Sequence, residues 1–267
     1  MKIFNLITVG LLASSIFISA QAQTPEEKGF EIAARSDRSD RGFGDSQVEM
    51  KMVLRNAAGG ETSRTLQTKT LEVADESLGD ESLIYFYTPA DVEGTALLSH
   101  AKILDPDDQW LYLPALKRVK RISSANKSGP FVGSEFAFED FTAQELNKFT
   151  YKFLRVESCP DLPELMCDVV ERYPTYQKSG YSKQVSWIDQ QDFQVRKLEF
   201  FDRRGDLLKT LRFNEYKKYE DGVWRAHLLS MANHKTGKST DLVFSEYVFK
   251  AGLTEKDFSK GVLKRLR

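Results

Sequence analysis

"YSKQVSWIDQQDFQVRKLEFFDRRGDLLKTLRF", residues 181–213, decides the architecture. Residues 182–188 form a strand with Val185 and Trp187 on one face. Residues 195–202 form the next, "DRRGD" turns the chain at 202–206, and 207–216 return. "YEDG" at 219–222 and "HKTGK" at 234–238 then separate strands 223–233 and 239–249. Five strands at this spacing, divided by turn residues, read as a meander of antiparallel hairpins.

The same reading extends upstream. Residues 150–157 and 167–173 are strands, and so are 83–87, 95–104 and 109–113. Nearer the N-terminus, Val48, Met50, Met52 and Leu54 alternate with Gln47, Glu49, Lys51 and Arg55, broken only by Val53, so one face is apolar and the other wet. "NAAGGE" at 56–61 turns that strand into a more polar one over 62–73. About eleven strands in all predict a mainly β (α+β) chain, as a strongly curved antiparallel sheet or an open barrel. Thr24-Pro25-Glu26-Glu27 carries an N-cap, a proline at the first helical position and a glutamate at the third. The helix it opens passes Phe30, Ile32 and Ala33 and is expected to fade in the charged "RSDRSDRGFG" at 35–44, read as a solvated linker. Thr142 with Glu145 suggests a short helix through Leu146.

Lys2, an apolar run from Ile3 to Ile18 and Ala20-Gln21-Ala22 together form a secretory signal, with cleavage expected after Ala22. No later segment approaches roughly 20 apolar residues, so the expectation is a soluble periplasmic protein. Neither cysteine lies at the cleavage site, which argues against an N-terminal lipid anchor. With 38 basic and 39 acidic residues the chain has no global field to draw nucleic acid, and any electrostatic function is local. Cys159 and Cys167 flank "PDLPELM" in an oxidising compartment, which points to a structural disulfide, two free thiols being the alternative. His100, His227 and His234 are scattered without ligand spacing, so no metal is expected, and no cofactor fingerprint or catalytic motif is present. The expectation is therefore no enzyme. Glu135, Glu139 and Asp140 read as solvated loop acids, and "DPDD" at 105–108 as a plain turn.

The remaining question is what fills a curved sheet in a chain with 18 Phe, 10 Tyr and 3 Trp but few helices. An ordinary closed core is one answer, and a ligand is the other. "WLYLPALKRVKRISSANKSGPFVGSEFAFEDF", residues 110–141, bears on the choice. Trp110 and Tyr112 alternate with Leu111 and Leu113, so this strand is buried on both faces or lines a cavity on one. Lys117, Arg118, Lys120 and Arg121 then make either a charged edge that blocks aggregation or a cationic rim for lipid headgroups or an acidic partner. The loop beyond has the glycines and small polar residues of a mobile segment. Its Phe131, Phe136, Phe138 and Phe141 are costly to leave in water, and a lid over an apolar pocket satisfies both features.

Three runs, "WLYLPALKRVKRIS…GPFVGSEFAFEDF", the 181–213 stretch and "GVWRAHLLSMANHKTGKSTDLVFSEYVF" at 222–249, together resemble the LolA-like outer-membrane lipoprotein-sorting proteins. The branch concerned is associated with RND or MMPL-type lipid exporters. The resemblance covers residues 45–267, after a signal segment at 1–22 and a helix with linker at 23–44. It implies a half-closed antiparallel β-barrel around an apolar cavity, with short lid helices, that carries an acyl-chain ligand through the periplasm. Trp110, Tyr112, Pro114, Arg118 and Arg121 match the family's aromatic and basic block, and Gly133, Phe136 and Asp140 its glycine-aromatic-acid loop. The partners implied are a lipid or lipidated ligand, an inner-membrane RND/MMPL-type exporter and an outer-membrane acceptor. Trp110, Tyr112, Leu113 and the four loop phenylalanines are the expected cavity and lid, and the four cations the expected headgroup or partner contact. A non-carrying adaptor subunit of an envelope export complex is the alternative.

Overall fold

The computed structural model describes residues 22–266 except 74, 76–77, 143–144 and 220–221. The apolar run read as a signal segment lies outside the described residues. Among the described residues no helix is long and apolar enough to cross a membrane.

Helix α1 (Pro25–Ser39) opens with the expected capping box. Thr24 Oγ1 accepts from Glu27 N at 3.1 Å, and Glu27 Oε2 accepts from Thr24 N at 2.8 Å. The helix runs into the charged stretch read as linker and ends within it at Ser39, where side chains of that stretch find partners. Arg41 holds Asp37 at 2.9 Å, and Arg225 reaches Asp40 at the C-cap while lying over the Phe43 ring.

Fourteen strands follow: β1 (Asp45–Arg55), β2 (Glu61–Leu71), β3 (Leu78–Thr88), β4 (Ala96–Lys102), β5 (Asp108–Leu113), β6 (Arg118–Arg121), β7 (Phe149–Cys159), β8 (Leu162–Pro174), β9 (Tyr181–Asp189), β10 (Val195–Asp202), β11 (Leu207–Lys218), β12 (Trp224–Asn233), β13 (Ser239–Phe244) and β14 (Val248–Phe249). The count exceeds the expected eleven or so partly because β6 and the two-residue β14 carry little apolar pattern. Side chains secure the hairpins where the turn residues stand. Asp202 Oδ1 accepts from Arg204 N at 2.9 Å and Asp206 N at 3.0 Å, and Gly205 supplies a φ of +86°. Asn233 Oδ1 does the same for Lys235 N and Thr236 N.

Among the described residues all fourteen strands belong to one antiparallel sheet, with β1 paired to β13 in its middle and β6 and β7 at its two edges. The chain meanders outward from β1 to β6, crosses through residues 122–148 to the far edge, and meanders back from β7 to β13. The sheet is open and strongly curved, in keeping with a half-closed barrel. Of the helix expected from Thr142, residues 143–144 lie outside the described residues, and a 3₁₀ turn, Leu146–Lys148, stands in the crossing segment after them.

Residues directly opposite each other on neighbouring strands share a face, so the register defines an inner side. Leu198 faces Leu211, Leu211 faces Met231, and Leu242 faces Met52. These side chains form the main core with Met50, Leu66, Ile84, Phe86 and Leu97. Val170 and Leu198 both oppose Ser186, so Val170 lies on the same side, and there α1 covers it through Ile32. Gly29 permits that approach: a Cβ there would stand 2.7 Å from the backbone nitrogen of Phe153. On the outer side, the C-terminal 3₁₀ turns Glu255–Phe258 and Val262–Lys264 place Phe258 and Leu263 over Leu83, Leu98 and Trp110. Cys159 and Cys167 form a disulfide, their Cα atoms 5.0 Å apart, in an outer cluster with Val169, Val185 and Trp187.

Candidate functional site

Only residues 122–148 separate the two edge strands in sequence, and their middle part lies over the inner face. Short 3₁₀ turns, Phe131–Gly133 and Phe138–Phe141, flank a tight loop in which Phe131 N donates to Phe136 O at 2.7 Å. This geometry turns the four phenylalanines toward one another. Phe131 and Phe141 centroids are 4.5 Å apart, Phe136 and Phe141 5.5 Å, and Phe131 meets Phe86 of β3 at 5.7 Å. Phe131 is wholly buried, Phe136 nearly so, and Phe138 and Phe141 are half-buried against the same core. The four expected lid residues therefore come together, and they occupy the apolar inner face themselves.

Polar bonds hold this cover to six strands. Arg64 of β2 donates to Val132 O, and Gln109 of β5 donates to Phe138 O at 2.9 Å. Glu135 N donates to Thr240 Oγ1 of β13 at 3.0 Å, while Asn233 of β12 donates to Glu135 Oε2 at 2.7 Å. Lys209 of β11 donates to Asp140 Oδ2 at 2.7 Å and to Glu135 O at 3.1 Å, and the Tyr181 hydroxyl of β9 donates to Asp140 Oδ1 at 2.8 Å. Both side chains of the Lys209–Asp140 pair are buried, at 4% and 6% exposure. The ammonium also lies 4.9 Å from the Phe200 ring centre and 5.0 Å from that of Tyr181.

Glu139 turns the other way, accepting from Gly180 N at 2.8 Å and Ser179 Oγ at 2.9 Å. Burial raises its carboxyl above the ordinary range, and the Gly180 amide works against that rise. Desolvation lowers the Arg64 guanidinium, and burial, together with the Asp140 charge, carries the Tyr181 phenol well up. The acids read as solvated loop residues are thus corrected: Glu139 is buried, the Asp140 carboxylate is buried with it, and Glu135 is half-buried and bonded. Lys209 was not singled out in the sequence. Its one signal is a lysine at an inner-face position two residues before Leu211 and four before Phe213.

The other expected site residues lie elsewhere. Trp110 and Tyr112 point to the outer side of β5, where Lys260 Nζ stands 4.2 Å over the Trp110 ring. Leu113 is half-buried, in the same strand phase as Leu111, which packs into the inner core. Lys117, Arg118, Lys120 and Arg121 are exposed along the β6 edge beside the exposed Leu116. Arg121 bonds Asp108, which Lys102 also holds at 3.0 Å, while Lys117, Arg118 and Lys120 have no ion-pair partner among the described residues. Among the described residues no group of three or more His, Cys, Asp or Glu could hold a metal.

A family model described as an uncharacterized protein matches residues 79–265. No curated protein matches the chain. Three solved structures are similar over 90% of this chain and 100% of their own. An outer-membrane lipoprotein-sorting protein domain from Vibrio parahaemolyticus is 51% identical with a TM-score of 0.86. A DUF1329 family protein from Desulfovibrio piger is 27% identical with a TM-score of 0.84. A LolA superfamily protein from Nitrosomonas europaea, at 23% identity and a TM-score of 0.69, shares the fold. A curved sheet crossed by its own edge-to-edge segment, a matched family model and a half-identical relative lead to one conclusion: the chain has a LolA-like fold and belongs to the family of the outer-membrane lipoprotein-sorting domain, alongside the DUF1329 protein.

Proposed function

We propose that this protein is a periplasmic carrier that takes the acyl chains of a lipid or lipidated molecule onto its inner face and moves them toward the outer membrane. One observation carries the reading. The cover over the inner face joins the sheet through side-chain bonds and aromatic packing and adds no strand to its ladder, so it can leave while the sheet stays whole. Acyl chains entering in place of the four phenylalanines gain about 0.8 kcal/mol per buried CH₂. Met50, Met52 and Met231 line that face, and their flexible thioethers repack around chains of varied shape. The exposed cations of β6 stand at the edge from which the cover departs and suit a headgroup or an acidic partner. An inner-membrane RND/MMPL-type exporter is the donor this reading favours, and an outer-membrane acceptor the recipient.

A second reading has an observation of its own. The inner face is filled by the protein's own phenylalanines, as in an adaptor that carries nothing. Native mass spectrometry on protein purified from periplasm without detergent separates the two. The carrier yields a bound lipid mass, before or after incubation with host lipids. A bare protein mass in both cases overturns it in favour of the adaptor. Pairing Glu135→Cys with Thr240→Cys, positions in contact through the 3.0 Å bond, supplies a control: the carrier loses uptake when this tether is oxidised.

A further inference from the structure

We infer that the cargo is an anionic amphiphile, and that its oxyanion takes the place of the Asp140 carboxylate on Lys209. This deepens the carrier reading and rests on it. Lys209 is 3% exposed and projects from the middle of the sheet into its most apolar surface, among Leu198, Phe200 and Leu211. A cation there is tolerable only while an anion accompanies it, because an unpaired buried ammonium is strongly disfavoured. In the covered state that anion is Asp140, and the carbonyl of Glu135 takes a further proton of the ammonium.

Both partners belong to the cover. When residues 131–141 leave the inner face, Lys209 and the Tyr181 hydroxyl lose their acceptors together, and Arg64 and Gln109 lose the carbonyls of Val132 and Phe138. These four sheet groups donate to the cover's acceptors. A purely hydrocarbon or neutral cargo leaves the ammonium bare, whereas a phosphodiester or carboxylate at the head of acyl chains restores the charge-assisted bonds. The cover thus presents phenylalanine rings where the chains go and a carboxylate where the acidic group goes. It is an internal stand-in for an anionic lipid, and the charge on Lys209 sets the discrimination.

The test uses chain-matched pairs of probes on the full mature protein: dioleoyl phosphatidylglycerol against dioleoylglycerol, and oleate against oleyl alcohol, read by displacement of a fluorescent fatty acid. Wild type is expected to prefer at least one anionic member by about tenfold or more, the scale of one charge-assisted bond. The first pair reports a phosphodiester and the second a carboxylate. Lys209→Met is expected to abolish the preference while neutral probes still bind, and Lys209→Arg to retain it. Asp140→Asn, which removes the cover's anion and leaves the cation in place for a ligand, is expected to bind anionic probes more tightly than wild type. Equal binding of charged and neutral members by wild type overturns the inference and leaves the carrier reading standing. So does an unchanged preference in a folded Lys209→Met. If neither wild type nor Asp140→Asn binds any of the four probes, both fall. The wild-type comparison needs no variant, so the inference is testable even where Lys209→Met does not fold.

Discussion

Lys209 and Asp140 make the case for arguing in single residues. Removing one partner of a buried pair strands the other in a low-dielectric site, at a cost of about 3–5 kcal/mol. Lys209→Met is therefore expected to lower stability by about that amount in urea titration, and Lys209→Met with Asp140→Asn to recover most of it, since no charge is left behind and the amide oxygen still accepts from Tyr181 or Ala137. Recovery of less than about a third would mean that the pair does more than balance charge. A half-buried acid contributes to the pH profile. Burial raises the Asp80 carboxyl from 3.8 to about 6. An acid whose folded value lies above its unfolded one binds more protons when folded, so its contribution falls as pH rises from about 4 through 6. A two-unit rise corresponds to about 3 kcal/mol, and partial exposure to solvent reduces it to the order of 1 kcal/mol. Asp80→Asn is expected to raise the melting temperature at pH 7 and to flatten stability between pH 4 and 6. An unchanged profile would remove Asp80 from the account.

At the scale of elements, the cover and the strands it touches differ in how they are held. Strand amides lie in continuous ladders, whereas residues 131–141 depend on a few side-chain bonds and four rings. Local opening follows that difference. Amides of 131–141 are expected to exchange at least about tenfold faster than those of β1 and β12, and Phe131→Ala to accelerate them further with sheet protection unchanged. Equal acceleration across sheet and cover would show that they open as one unit, which contradicts a separable lid. The strands themselves were largely legible because alternation and turn residues are local: "DRRGD" turns where Asp202 and Gly205 stand. The end of α1 was legible only to within the charged stretch 35–44, because the Arg225 contact that meets its C-cap Asp40 comes from β12, far along the chain. Asp140 also eluded a local reading. A loop carboxylate looks solvated until Lys209, Tyr181 and the Ala137 amide surround it.

At the scale of the whole molecule, an open sheet has two edges, and this chain treats them differently. β6 is short and cationic, a device that discourages pairing with other sheets and leaves Lys117, Arg118 and Lys120 available to a surface or a partner. Arg118→Glu with Arg121→Glu is expected to lower stability by no more than about 1 kcal/mol, the scale of the exposed Arg121–Asp108 pair it removes, and to reduce transfer to or from anionic vesicles. Undiminished transfer would leave β6 as an edge guard alone. The β-rich class, the hairpins, the disulfide partners and an aromatic loop in need of cover were all determined by the sequence itself, because alternation, turn chemistry and the cost of exposed rings act over a few residues. Tertiary structure alone decided which side of β5 carries Trp110, what fills the inner face and which anion accompanies Lys209. Those outcomes join residues 69 positions apart in the case of Lys209 and Asp140, and only the closing of β13 onto β1 folds the returning strands beneath the cover.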